Sequence, residues 1–242
     1  PSNAVFMTFG NEPAYKLQEQ FETLALSKFG PGETLYSKPE RRLTQPVAVT
    51  ETYAVDAEDL KDKTYHIISW LLPQASDIKL RLGMRLAEGV LLEDSASPLR
   101  HYLETCSYAQ STGPIMGVDD SNFEMTFYCG VQGSNPEHAE EFKDGVFSIL
   151  QDVASKPVDA ALVEAILHQI ELHQREINGD GMPYGLSLIL NGLGSAIHHS
   201  DPIHVWDVDT AIEQVKEELK DPMWLSNLIK THLIDNPHRV QM

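Results

Sequence analysis

Cysteine is scarce in this sequence. Its 242 residues include only two, Cys106 and Cys129, and neither lies in a Cys-x-x-Cys pair. Two thiols cannot form the disulfide framework that is typical of small secreted proteins, and such a low number favours a reducing compartment. We therefore interpret both as buried small hydrophobic side chains. We expect the protein to lie in the cytoplasm, or in an organelle matrix if its source is eukaryotic.

Positive charge is also in short supply. There are 18 Lys and Arg residues against 36 Asp and Glu, so the formal net charge is −18. Binding to nucleic acid or to an anionic membrane requires a basic face that releases counterions from phosphate groups. We therefore expect neither as a partner. Two interpretations of the acidity stay open, because it could serve solubility or attract basic substrates.

Long hydrophobic runs and familiar catalytic motifs are missing as well. No stretch approaches the roughly 18 consecutive apolar residues of a transmembrane helix. No Gly-x-Ser-x-Gly nucleophile elbow, phosphate-binding loop or complete dinucleotide fingerprint occurs. The first ten residues have no initiator methionine, basic region or cleavage site, so we expect them to belong to a chain already under way and not to a signal peptide.

Ten histidines suggest a metal site at first sight. His168 and His173, with Glu171 between them, have the composition of the zinc-protease signatures HExxH and HxxEH. Those motifs space their histidines by four residues, whereas five residues separate these, or about 140° around a helix, so one ion cannot receive both imidazoles. We therefore predict no catalytic, cofactor-binding or metal-binding residue in this chain. We interpret a second cluster as a helix-terminal cap or surface loop: His198, His199 and His204.

Apolar periodicity predicts both strands and helices. Helices cluster along the chain instead of alternating one for one with strands, which predicts an α+β fold, a mostly antiparallel sheet with helices packed on it. We expect the nearly all-apolar helix at 185–198 to be buried on most sides. The predicted strands are 5–9, 47–53, 63–72, 123–131 and 238–242. The predicted helices are 13–28, 77–92, 98–105, 142–153, 159–170, 185–198, 208–219 and 224–233.

The composition changes between residues 30 and 46. Gly30-Pro31-Gly32 stops the first predicted helix, and the following stretch carries Pro39, Pro46 and little periodicity. These features are typical of an interdomain linker. We therefore predict one unit at residues 1–30, a linker at 31–46 and a second unit at 47–242.

Several short motifs follow one another in an order that resembles a known family. Lys63-Thr64-Tyr65 through Trp70-Leu71-Leu72 resembles the KTY…WLL strand that opens the second domain of presequence-protease-like peptidases, a branch of the insulinase/pitrilysin-type zinc metallopeptidases. Pro1-Ser2-Asn3-Ala4 and the residues up to Asn11 resemble the strand that closes their first domain. Ala196 departs from the family, which commonly has Trp there. Weaker resemblances lie at Ser97–Leu99, Phe127–Gly133, Glu171–Glu176, Gly185–Pro202 and Asn236–Val240.

The resemblance implies a fold and a function. Members of this family enclose a chamber between two halves and hold zinc with HxxEH and a distal Glu in their first domain. The chain would then be an internal fragment, with the tail of the catalytic domain at 1–30 and the second, non-catalytic chamber-wall domain at 47–242. The zinc positions would lie upstream of Pro1, so zinc is expected in the parent enzyme and none in this fragment.

The implied parent is a zinc-dependent metalloendopeptidase that degrades unfolded peptides, with basic peptides as candidate substrates. The fragment alone is expected to be inactive, and its partners would be those peptides and the other domains of the parent chain. The alternative function is that of a non-catalytic scaffold or assembly subunit on the same fold.

Overall fold

A computed structural model describes residues 2–56, 59–177 and 181–242, in which helices pack on one six-stranded mixed sheet. The stretch Asn178–Asp180, which the sequence places in a connection between helices, lies outside the described residues. The helices are α1 Ala14–Leu24, α2 Ile78–Leu92, α3 Pro98–Thr105, α4 Ala139–Ala154, α5 Ala160–Arg175, α6 Tyr184–Ile197, α7 Val208–Glu218 and α8 Trp224–Ile229. The strands are β1 Val47–Ala48, β2 Thr64–Gln74, β3 Ser111–Thr112, β4 Gly117–Asp119, β5 Glu124–Ser134 and β6 Arg239–Gln241.

An antiparallel ladder between β2 and β5 forms the centre of the sheet. Ile68 lies opposite Cys129, and Trp70 lies opposite Phe127. All four side chains are at most 1% exposed. Side chains alternate between the two faces of a strand, so the β-branched and aromatic residues that predicted these strands place one continuous apolar face against the helices.

The remaining strands extend the ladder on both sides in the order β1-β6-β2-β5-β3, and β4 also pairs with β5. Every pairing is antiparallel except that of β1 with β6, which is parallel. The predicted α+β class with a mostly antiparallel sheet is therefore confirmed. None of the helices in the described ranges combines the length and the apolar character that a membrane crossing requires.

The helix boundaries follow local signals. Asp77 caps α2 by accepting a hydrogen bond from the Leu80 amide at 2.9 Å, and Asp159 caps α5 in the same way from the Ala161 amide at 3.0 Å. Each cap satisfies an amide that has no partner inside its own helix. Pro98 opens α3, where its missing N–H costs nothing. These predicted helix starts are confirmed.

Trp70 joins the sheet to the last helical segment. Its Nε1 donates a hydrogen bond to the carbonyl oxygen of Leu233 at 2.8 Å, in the π-helical turn Lys230–Ile234 that continues α8. Its ring meets Phe127 edge to face at 5.8 Å between centroids. A buried indole N–H needs such an acceptor, so this bond lets the largest core side chain be wholly buried.

Two predicted strands differ from the structure. Val5–Phe9 forms no strand, because no ladder partner lies beside it among the described residues, and Met7 and Phe9 contact α6 instead. The predicted strand at 47–53 is reduced to Val47–Ala48, the part that reaches β6. A β-prone run becomes a strand only where a neighbour supplies backbone hydrogen bonds.

The expectation that the apolar helix α6 is buried on most sides is wrong. Only Gly185 and Gly192 of this helix are buried, and these glycines leave space for Phe9 and Met7. Much of its apolar surface faces solvent or a cleft, because α6 stands off from α2 and α5. The large apolar side chains of α6 that are between 43% and 49% exposed are Leu186, Leu190 and Ile197.

The second half of the predicted linker is bonded to the sheet. The Glu124 side chain is 7% exposed and accepts hydrogen bonds from the Glu40 amide, at 2.6 Å, and from the Arg42 guanidinium. Arg42 also donates to the Leu72 carbonyl at 3.1 Å, and the Leu43 amide donates to His238 Nδ1 at 3.1 Å. A buried carboxylate needs these partners. Residues 40–43 therefore stabilise the edge of the sheet where β2 ends and β5 begins.

Replacing Arg42 should therefore destabilise the protein more than replacing its neighbour Arg41. Arg42→Met leaves Glu124 without its cation, and because Arg42 is 43% exposed we expect a loss of only about 1–2 kcal/mol in the free energy of unfolding. Arg41 is exposed, and its side chain forms no ion pair within the described ranges, so Arg41→Met should change stability by less than about 0.5 kcal/mol. Urea unfolding of both variants measures the difference, and equal stabilities would contradict the role of Arg42.

Candidate functional site

The histidines that resemble a zinc motif lie apart on α5. His168 and His173 are both exposed, and His173 lines a cleft beside α6. Glu171 is held by Arg175 at 2.8 Å and lies 4.0 Å from Lys216. The carboxylate is thus already paired with cations, and the two imidazoles occupy different faces of the helix.

The implied zinc does not fit this part of the chain. A catalytic zinc needs three protein ligands that converge on one ion, plus an open position for water. Across residues 2–56, 59–177 and 181–242, no group of three or more His, Cys, Asp and Glu side chains is placed to hold a metal ion. No catalytic step through zinc can be assigned to the described residues.

Two members of the second histidine cluster, His198 and His199, lie at the end of α6, as predicted, and the third, His204, begins the short turn His204–Trp206. His198 is the C-cap, and its Nδ1 lies 3.0 Å from Ser37 Oγ. His199 has a φ of 60° and its Nε2 lies 2.9 Å from the carbonyl oxygen of Leu35. Both imidazoles therefore connect the end of α6 to residues 35–37.

The two cysteines differ in burial. Cys129 lies in the core of β5 and is fully buried, and this burial raises the pKa of its thiol. Cys106 is half-buried at the end of α3, and desolvation raises its pKa as well. Neither thiol has the lowered pKa of a nucleophile. The interpretation as a buried hydrophobic side chain is confirmed for Cys129, whereas Cys106 reaches the surface.

A cleft of about 900 Å³ lies between α6 on one side and α2 and α5 on the other. We call it the α2–α6 cleft. It exists because α6 is attached through residues 7–9, 35–37 and 202–206 and not by packing on the core. Its apolar lining includes Ile78, Leu82, Ile170, Leu190, Ile197 and Trp206.

A cluster of charges lies on the α2 wall of this cleft. Arg85 donates hydrogen bonds to Glu88 Oε2 at 2.9 Å and to Asp120 Oδ1 at 3.0 Å. The Nε of Arg81 lies 3.8 Å from Asp120 Oδ2, too far for a hydrogen bond. Burial raises the pKa of the Glu88 carboxyl, although Arg85 acts in the opposite direction. A side chain at Gly117, whose φ is 91°, would collide with Glu88.

Sequence reasoning missed this cluster. Arg81 and Arg85 are four residues apart on a helix whose existence was predicted, so their common face could have been recognised. Asp120 follows the three-residue strand β4, which gives no periodic signal, and only the pairing of β4 with β5 brings it to α2. The cleft itself depends on the position of α6, which apolar composition does not indicate.

The chain is similar over its whole length to a known peptidase. It is 26% identical over 246 residues to the mitochondrial presequence protease of Xenopus laevis, covering 100% of this chain and 24% of that protein. The chain thus spans about a quarter of the length of this curated relative.

Two solved structures share the fold. A protease from Helicobacter pylori aligns with a TM-score of 0.64 at 11% identity, over 96% of this chain and 52% of that one. The inactive peptidase domain of a putative zinc protease from Bordetella parapertussis aligns with a TM-score of 0.56 at 15% identity, over 74% of this chain and 92% of that one. The family described as the peptidase M16 inactive domain matches residues 1–170, and the chain belongs to this family.

Proposed function

We propose that this chain is a non-catalytic, substrate-enclosing part of a zinc-dependent metalloendopeptidase that degrades unfolded peptides inside a closed chamber. The observation that carries the proposal is the match to the M16 inactive domain, together with similarity to a presequence protease along the full chain. The zinc would be held elsewhere in the parent protein, since the donor groups described here do not converge on an ion.

Exposed apolar side chains near the start of the chain support contact with other domains of the parent. α1 has no buried residue at all, which is unusual for a helix that carries large apolar side chains. Several exposed large apolar side chains within one short segment are typical of an interface with another domain. The side chains concerned, each between 52% and 70% exposed, are Phe6, Phe9, Tyr15, Leu24 and Phe29.

The proposed division is a tail of the preceding catalytic domain at 1–30, a linker at 31–46 and the chamber-wall domain at 47–242. It is supported by the first strand of the sheet, which begins at Val47, and by the exposure of α1. For the compartment we propose a cytoplasm or an organelle matrix, in keeping with the two free thiols and with a relative named as mitochondrial.

A non-catalytic scaffold or assembly subunit on the same fold is the second candidate function. Both candidates use the same wall domain, so this chain alone does not distinguish them. The discriminating feature is an HxxEH motif followed by a distal Glu in the catalytic part of the parent sequence. Its presence supports the peptidase, and its loss supports the scaffold.

The proposed division can be tested by limited proteolysis. A protease of broad specificity should cut first within residues 31–46, at the positions outside 35–37 and 40–43, because those two stretches are bonded to α6 and to the sheet. Mass spectrometry of the early products identifies the sites. Cleavage that spreads evenly along the chain would contradict two units and a linker.

The location of the chemistry can be tested by metal analysis. The 242-residue chain should retain no stoichiometric zinc after dialysis and should not hydrolyse a quenched fluorescent peptide. The parent protein should retain zinc, hydrolyse the peptide and lose this activity when a chelator is added. His168→Ala is the informative variant. One tightly bound zinc per chain, lost together with activity in that variant, would overturn the proposal.

The acidity gives a prediction about substrate charge. If the net charge of −18 attracts substrates, the parent enzyme should cleave a basic peptide faster than an acidic one of equal length, with an uncharged peptide between them. The preference should shrink as salt is added, because exposed charges are screened within about 10 Å at 0.1 M ionic strength. A salt-independent preference, or none, would leave solubility as the role of the acidic residues.

A further inference from the structure

Two arginines one turn apart on α2 are paired very differently. Both hydrogen bonds of Arg85 go to carboxylates, at 2.9 and 3.0 Å. The side chain of Arg81 is only 18% exposed, yet within the described ranges no protein acceptor lies within hydrogen-bond distance of its guanidinium. Its one ionic neighbour is Asp120, at 3.8 Å, and this carboxylate already accepts from Arg85.

This arrangement is costly for the chain by itself. A guanidinium carries five N–H donors and stays charged in proteins. Most of the Arg81 side chain is removed from solvent while its donors have no hydrogen-bonded protein acceptor among the described residues, and desolvation is the main cause that lowers the pKa of Arg81. A ligand that supplies acceptor oxygens would remove this cost, and a carboxylate matches the planar fork of donors.

Arg81 lies where the α2–α6 cleft meets a small polar cavity of about 30 Å³. That volume accommodates a group of the size of a carboxylate or one water molecule. The amide and hydroxyl groups around it can donate hydrogen bonds to the same oxygens as Arg81. The polar side chains that line this cavity include Asn122, Asn191, Ser195 and Ser200, together with the carboxylate of Asp120, which accepts a hydrogen bond from Arg85.

The cleft leads away from this cavity along α2. Glu93, at the far end of the lining, is twelve residues beyond Arg81, which corresponds to about 18 Å along a helix. An extended peptide advances about 3.3 Å per residue, so the cleft has the length of about five residues. The exposed carboxylate of Glu93 is therefore too distant to repel a group at Arg81. The two nearer carboxylates, Glu88 and Asp120, each accept a hydrogen bond from Arg85, which offsets their charge, and apolar side chains line much of the rest of the cleft.

The geometry points to Arg81 as the anchor for the C-terminal carboxylate of a peptide whose last four or five residues lie in the α2–α6 cleft. This assignment rests on the proposed function, since it names how the wall domain holds the peptides it encloses. A chain end fits the small cavity, whereas an internal acidic residue would require the peptide to continue past it. Arg81 is a binding residue and takes part in no bond cleavage.

Fluorescence anisotropy with labelled peptides tests the assignment. The probe is an N-terminally fluorescein-labelled hexapeptide of alanine and leucine, prepared with a free C-terminal carboxylate, with a C-terminal amide, and as an amide with one internal glutamate. The 242-residue chain should bind the carboxylate form at least tenfold more tightly than either amide. Arg81→Met should lower the affinity for the carboxylate form to that of the amide, and Arg81→Lys should retain part of the difference.

Arg41→Met is the matched control, because Arg41 lies outside the cleft, and it should leave all affinities unchanged. Thermal unfolding supplies a second measurement, since Arg81→Met removes a half-buried cation whose one ionic neighbour, Asp120, is also bonded to Arg85, and it keeps an apolar stem. The melting temperature of this variant should equal or exceed that of the unsubstituted 242-residue chain. A clear loss of stability would indicate a structural role for Arg81 and contradict the assignment.

The remaining outcomes separate the two proposals. Equal affinity for the carboxylate and amide peptides would overturn the role of Arg81 and leave a peptide-enclosing domain intact. Tight binding of the amide with an internal glutamate would overturn the assignment to a chain end. No binding of any peptide would overturn both the anchor and peptide binding by this domain.

Discussion

The antiparallel ladder between β2 and β5 is the constraint on which the other elements depend. It presents alternate side chains on one face as a continuous apolar surface, with Trp70 and Phe127 wholly buried at its centre. Burial of side chains of this size contributes about 1.5–3 kcal/mol each, so this face must be covered. The helices α2, α4 and α8 cover it, and the bond from Trp70 to Leu233 attaches the last of them.

Helix α6 does not take part in that layer, and this exclusion creates the main cleft. Its glycines receive Met7 and Phe9, and the histidines at its end bond to residues 35–37. The helix therefore packs on the segment before the sheet, and its opposite side faces α2 and α5 across open space. Because so little of α6 is buried against the core, its position relative to α2 is set by the chain before residue 47 and by the turn His204–Trp206 that follows it.

The chemistry of the described residues suits holding a chain more than cutting one. The candidate zinc ligands on α5 point apart, and the thiols have raised pKa values. What the cleft offers is apolar side chains from α2, α5 and α6, a paired charge cluster on its α2 wall and donor groups at one end. Such a surface suits the proposed enclosing role, because contacts of this kind depend little on peptide sequence.

Much of the architecture could be predicted from local patterns in the sequence. Alternating apolar residues identified β2 and β5, the Asp77 and Asp159 caps set two helix starts, and the order of helices and strands indicated the α+β class. The five-residue spacing of His168 and His173 sufficed to separate their imidazoles, because helical geometry is local. These features depend on residues within one or two turns of each other.

Tertiary structure alone decided the rest. Whether Val5–Phe9 forms a strand depended on a hydrogen-bonding neighbour, and the exposure of α6 depended on which surface it met. The candidate site joins Arg81 of α2, Asp120 after β4 and Asn191 of α6. Residues so far apart in the chain share no periodicity. The packing of α2, β4 and α6 brings them together, and the local sequence of each element does not indicate which other elements it packs against.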